Sequence, residues 1–404
     1  MLKKLFEGIK VLDFTWAAVG PLSTKILSDY GAEVIKIENH LHPDGTRVGG
    51  PFKDDIPGMN RSGCFNQWNT GKRSILLNLA HPKGVKVATI LAAWADVVVE
   101  NFSGGTIRRI GLGYEELKKI NPDIIMLSSC MMGQTGPYAS HPGLGPLLTA
   151  LSGFNQITGW PDRQPLGPSG AYTDFIGPRF AVLAIMAALD YRCRTGKGQY
   201  LDLSQYESSV HFIAPLLLDY TINKRIAGRV GNRLSYAAPH GAYRCSGEDR
   251  WCAIAVFTDE EWQNFCEVIG NPKWTKEIKF STLWARKENE DELDSLISEW
   301  TINYPAEQVM EQMQSAGVAA GVLQNSIDMQ EYDPQLKHRH FYWSLEHPEV
   351  GRYTALRPNF VVSKAPYEIK RAPLLGEHNE YVLKEILGMS DDEIAELVIQ
   401  GVLD

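Results

Sequence analysis

Apolar and polar positions alternate in two rhythms along the first 130 residues. Short runs of apolar residues at Lys10 to Phe14, Val34 to Glu38, Ser74 to Leu79, Val97 to Glu100 and Ile124 to Ser129 predict buried strands. Helical spacing separates them, from Leu22 to Tyr30, ended by Gly31, and from Gly84 to Ala95. This alternation is how βαβ units and a mostly parallel sheet read in sequence. Further on, the pattern predicts a helix from Pro178, a favourable first helical position, to Arg194, ended by Gly196. A strand at Tyr200 to Leu203 and a long helical stretch from Gln205 to about Lys224 follow. The periodicity fails between Gly228 and Pro239, and beyond it strand-like Trp251 to Phe257 precedes helices at Glu260 to Ile269, Glu290 to Trp300 and Ala306 to Ser315. The expected class is α/β: a large Rossmann-like domain over 1–225, a smaller α+β domain over 226–325, and a C-terminal segment over 326–404 that returns to the large domain.

Composition narrows the function without choosing it. The chain has 404 residues, 44% hydrophobic and 22% charged, which suits folded soluble domains. With 40 Lys+Arg against 48 Asp+Glu the net charge is -8, which argues against nucleic acid as a partner. The longest apolar run, Phe180 to Leu189, is far shorter than the roughly 20 residues of a spanning helix, so no membrane association is expected. Met1 to Lys10 carries Lys3 and Lys4 but no apolar signal region, and the expected location is cytoplasmic. Six scattered cysteines form no C-x-x-C pair and suggest neither disulfides nor zinc; no metal site is expected.

The familiar motifs fail one by one. The first strand-turn-helix has Glu38 where a ribose ligand could sit, but its turn, Thr15 to Pro21, holds one glycine where a pyrophosphate needs three. His338 and His340 are two apart and do not share a helix face. Ser152 and Ser169 lie near glycines without forming G-x-S-x-G. What remains is one carboxylate, Asp174, in GAYTDFIGP, just before the apolar helix and near its positive end. By spacing alone, Asp174 reads first as a helix cap.

Read together, GIKVLDFTWAAVGP (8–21), GAEVIKIE (31–38), NTGKRS (69–74), DVVVENF (96–102), RIGLGY (109–114), TGKGQYLDL (195–203) and RAPLLGEH (371–378) resemble the class III coenzyme A transferases, of the formyl-CoA and carnitine CoA-transferase type. The resemblance runs almost end to end. It places Asp174 on the family's catalytic aspartate, which forms an anhydride and then a thioester. It implies oxyanion donors at the backbone of Ala18 and Val19. It implies CoA contacts at Leu77 to Ala80, at Asn101, Phe102 and Ser103, at Arg109 and, less directly, at Asn39 and His141. Without the family, Arg109 reads as an exposed helix-end charge, and Lys72 and Arg73 read as closing a structural turn. No prosthetic group is implied, CoA thioester being the substrate.

Departures from the pattern carry information. Asn39 replaces a CoA-binding arginine, leaving His40 or Arg47 to supply the charge. Ser235-Tyr236-Ala237-Ala238 stands where formyl-CoA transferase has a glycine-rich lid, so Tyr236, Ala237 and Ala238 join Trp16 and Tyr138 as expected substrate contacts. The same aromatic positions are otherwise ordinary core or hinge residues. In the racemase branch a His-Asp pair would begin at Leu144 and Gly145, and leucine cannot carry a proton. The expected reaction moves CoA from succinyl-CoA to a carboxylic acid. Similarity to the succinyl-CoA:benzylsuccinate branch implies an aromatic acceptor, in aromatic degradation. The alternatives are an acyl-CoA racemase and a non-catalytic subunit. The family also implies an interlocked dimer, formed with itself or with a paralogous subunit as a heterodimer or heterotetramer.

Overall fold

The computed structural model describes residues 3–168 and 170–403; Ser169, like Met1 and Leu2, lies outside the described residues. Contacts group the chain into two compact units, one of residues 1–154, 167–226 and 337–404, the other of residues 155–166 and 227–336. The second unit thus runs past the expected limit at 325, to Leu336, and includes a segment from before the apolar helix. Gly159 and Trp160 tie that segment in: the Gly231 N–H donates to the Gly159 carbonyl at 2.9 Å, and Arg229 Nε donates to the Trp160 carbonyl at 3.2 Å.

In the larger unit six parallel strands lie in the order β3-β2-β1-β4-β5-β6. They are β1 (Lys10–Asp13), β2 (Glu33–Glu38), β3 (Arg73–Leu76), β4 (Val97–Glu100), β5 (Ile125–Cys130) and β6 (Tyr200–Ser204). Both faces of the inner strands are covered, which is why they read as continuous apolar runs, whereas the edge strand β6 is largely half-buried or exposed. Leu12, Ile35, Val98 and Met126 face one core, while their neighbours Val11, Val34, Val97 and Ile125 face the other. Helix α1 (Val19–Asp29) follows β1, and α2 (Pro82–Trp94) joins β3 to β4. The C-terminal segment covers the edge of β3. Leu76 N–H donates to Asn379 Oδ1 at 2.8 Å, and the His378 N–H donates to the Ser74 carbonyl at 2.9 Å.

Two helices depart from the sequence pattern. The apolar helix, α4 (Thr173–Thr195), begins five residues before Pro178, so the proline lies inside it, while Gly196 ends it in the left-handed region as expected. The short α3 (Gly145–Leu151) precedes it. The long helical stretch after β6 is two helices, α5 (Gln205–Phe212) and α6 (Ala214–Asn223), divided at Ile213, with Pro215 opening the second. The smaller unit has an antiparallel sheet of β7 (His240–Arg244), β8 (Trp251–Ala255) and β9 (Ala319–Val322) against α7 (Asp259–Val268), α8 (Glu290–Thr301) and α9 (Ala306–Ser315). Among the described residues no helix is long and apolar enough to cross a membrane, all six cysteines are free, and no metal-holding cluster occurs.

Candidate active site

The chain builds outward in one direction through β1, β2 and β3, then returns to continue through β4, β5 and β6. The reversal leaves a crevice at the C-terminal ends of β1 and β4, where two loops cannot cover each other. The loop after β1 is pinned across it: Trp16 N–H donates to Asn101 Oδ1 at 2.8 Å, and Asn101 Nδ2 donates to the Trp16 carbonyl at 2.7 Å. The next residue, Ala17, has φ 61°, a left-handed conformation that costs an alanine about 1–2 kcal/mol. Its N–H donates to Asp44 Oδ1 at 3.1 Å, which holds the turn.

Buried charges fix this loop from below. Asp13 accepts from Thr24 Oγ1 at 2.6 Å and from Lys72 Nζ at 3.0 Å. Lys36 Nζ bonds the Thr15 carbonyl and lies 3.1 Å from Asp44 Oδ2. Burial alone would raise the Asp13 carboxyl, but the Lys72 and Lys36 ammonium groups outweigh it and hold it at about 2. Lys72 is therefore spent inside the protein. Arg47 is spent too: fully buried, it makes paired 2.7 Å bonds to Glu38 and cannot replace the arginine lost at Asn39. Glu38, also bonded by Ser74 Oγ at 2.6 Å, is likewise occupied. His40 is exposed.

Asp174 sits in the first turn of α4 with its side chain turned to the crevice, not folded back as a cap. Pro178 has no N–H to give the Asp174 carbonyl, so the helix is weakest where this residue is carried. Gly177 lets α4 close on α1: a Cβ there would lie 3.1 Å from Val19 Cγ1. Gly145 does the same on the other side, where a Cβ would lie 2.6 Å from Asp174 Oδ2. The Asp174 carboxyl makes no hydrogen bond or ion pair among the described residues, and burial raises its pKa to about 6. Facing it, α1 starts without a side-chain cap, so the buried Ala18 and Val19 present first-turn N–H groups with no partner from the helix.

Two cavities share Trp16 and Phe102. The first, of about 300 Å³, brings together Asp174, Ala18, Val19, Asn101, Ser103 and His141. The second, of about 210 Å³, is mostly apolar and holds Asn39, Leu77 and Ala80. Arg109 lines neither; it is exposed and its Nη2 donates to Thr106 Oγ1 at 2.7 Å. Tyr138 also lies outside them, with its ring 4.9 Å from that of His141. Tyr236, Ala237 and Ala238 belong to the smaller unit. There Tyr236 stacks on Phe257, while Ala237 and Ala238 are fully buried, and the Ala238 carbonyl accepts from Arg286 Nε at 2.8 Å. That bonding holds the segment more firmly than a glycine run would be held. Sequence reasoning missed Asp44 and passed over Gly145 as a packing residue; neither carries a motif, since each matters only through what it touches. His42, beside Asn39, was also missed.

The CoA-transferase family III model matches residues 6–379. The human protein named succinyl-CoA:glutarate CoA-transferase is 34% identical over 402 residues, 99% of this chain and 90% of the relative. The succinyl-CoA:L-malate CoA-transferase beta subunit of Chloroflexus aurantiacus is 31% identical, covering 96% of each chain. Among solved structures, a CAIB/BAIF family protein from Brucella suis superposes with a TM-score of 0.87 at 32% identity, covering 95% of this chain and all of that one.

Proposed function

Because this chain belongs to CoA-transferase family III, we propose that Asp174 is the nucleophile through which it moves CoA from succinyl-CoA to a second carboxylic acid. One observation carries the reading: a half-buried, unpaired carboxyl faces the uncapped N-terminus of α1 across a cavity large enough for a thioester. Asp174 attacks the thioester carbonyl, the C–S bond breaks, and an aspartyl succinyl anhydride forms with CoA thiolate released. The thiolate then attacks the aspartyl carbonyl, expelling succinate and leaving an aspartyl-CoA thioester. The acceptor carboxylate takes the aspartyl group, freeing thiolate once more, and thiolate attack on the acceptor's acyl carbon returns free Asp174. Each tetrahedral intermediate carries an oxyanion, for which the Ala18 and Val19 N–H groups lining the same cavity are the donors we propose.

CoA itself would run from this cavity into the adjoining apolar one, with its adenine against Leu77 and Ala80, past Asn39, Phe102 and Ser103. Arg109 at the rim would meet phosphate, and His141 with Tyr138 would border the acyl end. Asn101, which lines the same cavity, also holds Trp16 in place. The acceptor we propose is a short dicarboxylic acid, as the names of the relatives suggest. Benzylsuccinate is a dicarboxylic acid with an aryl arm, for which the Trp16 and Phe102 rings offer a surface. Racemisation is disfavoured because Leu144 has no proton to give and Gly145 has no room for a side chain beside Asp174. A silent subunit would not need an unpaired carboxyl there. A partner chain, from a homodimer interlocked as in the family or from a paralogous subunit, would cover Leu183 and Met186 on α4 and Leu218 and Ile222 on α6, all exposed. A cytoplasmic location completes the reading.

The test is chemical. After incubation with succinyl-CoA and quenching with hydroxylamine, mass spectrometry should find the peptide containing Asp174 converted to its hydroxamate. Full turnover with that peptide unmodified would remove the anhydride mechanism.

A further inference from the structure

On the sheet edge away from the crevice, where β1, β2 and β3 begin at Lys10, Glu33 and Arg73, lie two adjoining cavities. They measure about 300 and 340 Å³ and share Gly71, Arg73 and Lys370. In the first lining Lys4, Lys10, Arg73 and Lys370 outnumber Glu33 and Glu368, and the second holds Lys72, Arg73, Lys370 and Arg371, in a chain whose net charge is -8. Most of these cations already have partners. Lys72 is held by Asp13, Arg73 lies 3.3 Å from Glu33, Arg371 makes paired bonds to Glu377, and Lys4 takes Glu368. Two are left over. Lys10 has no carboxylate within ion-pair distance among the described residues, its Nζ lying 5.5 Å from the centre of the Trp94 ring, and Lys370 reaches only the already engaged Glu368, at 3.8 Å.

A third group is also unspent. Ser28 lines the first cavity, is 8% exposed, and its Oγ has no hydrogen-bond partner. A hydroxyl buried without a partner costs about 1–3 kcal/mol, which a ligand reached by rotation of the Ser28 side chain would offset. Gly71 packs against this hydroxyl: a Cβ on it would lie 2.6 Å from Ser28 Oγ, and its φ of 71° suits glycine. Gly71 and Arg73 belong to the Asn69-Thr70-Gly71-Lys72-Arg73-Ser74 stretch, Lys370 to the C-terminal segment and Lys10 to the start of β1, and none of the three cations lines the crevice.

We propose that this basic cavity binds a small dianion, a dicarboxylate or a phosphate, with Lys10 and Lys370 supplying the two charges and Ser28 Oγ donating from the floor. The site is separate from the crevice and does not rest on the reading of Asp174. The local field makes it selective for charge, because an overall acidic surface repels anions elsewhere.

The experiment uses the full chain saturated with CoA, so that the crevice is filled. Inorganic phosphate and succinate are titrated in separate calorimetric runs at constant ionic strength. One-to-one saturable binding of either is expected, weakened about tenfold in Lys10→Gln and again in Lys370→Gln, since each removes one charge-assisted contact. Phosphate alone binding would assign the site to phosphate, and succinate alone to dicarboxylates. Both lysines lie outside the crevice, so the turnover of both variants should stay at the parent value, which also shows that they fold. Absence of binding by both anions, or binding unchanged in the double variant, overturns the proposal. So does equal competition by chloride, which would reduce the effect to general screening.

Discussion

Replacing Gly145 by alanine tests the placement of Asp174 without touching its chemistry. The added Cβ would lie 2.6 Å from Asp174 Oδ2, 2.7 Å from its Cγ and 2.3 Å from Ala171 Cβ. Ordinary contact between such atoms is about 3.5 Å, so the carboxyl or the helix carrying it must move by roughly 1 Å. Overpacking of this kind costs about 1–3 kcal/mol of stability, which a domain of this size survives. A displacement near 1 Å at the reacting atom lowers the chemical rate by about a hundredfold. On the proposed path CoA lies largely in the second cavity, so the KM for succinyl-CoA should change by less than about threefold. Chromatographic measurement of acyl-CoA formation gives both constants, and a melting curve by circular dichroism confirms folding. A kcat within about threefold of the parent, with the fold intact, would refute the argument that Gly145 sets the position of the nucleophile.

Asp174, with its pKa raised to about 6, must be ionised to attack, so kcat/KM should fall about tenfold per pH unit below that value, and a flat profile down to pH 5 would contradict it. The folded-state pKa lies above the unfolded value of 3.8, so the native state loses stability as pH rises from about 4 to 6. Asp174→Asn should therefore melt higher than the parent at pH 7.5, by on the order of 2–3 kcal/mol, and the gain should vanish below pH 4. Asn101→Ala removes both bonds to the Trp16 backbone and frees a turn already strained at Ala17. It should cost about 1–3 kcal/mol in denaturant melts and raise the KM for succinyl-CoA; an unchanged KM would show that the loop holds its shape without the clamp.

Local sequence carried a good deal of this protein. The apolar runs located six parallel strands to within about three residues, because the inner strands, buried on both faces, have no polar alternation to confuse the pattern. Gly196 marked the end of α4 because its left-handed conformation is a local demand. Asp174 stood out as a carboxyl without a motif. The start of α4 did not show, since packing of Gly177 on Val19 and of Gly145 on Asp174 stabilises five residues that a proline would ordinarily keep out of a helix. Arg47 read as a free cation until the fold set Glu38 against it. Propensity, periodicity and chain punctuation act between near neighbours and are written along the chain. Which carboxyl stays unpaired depends on residues brought together from Ala18, Asn101, Gly145 and Asp174, and only the folded chain makes them neighbours.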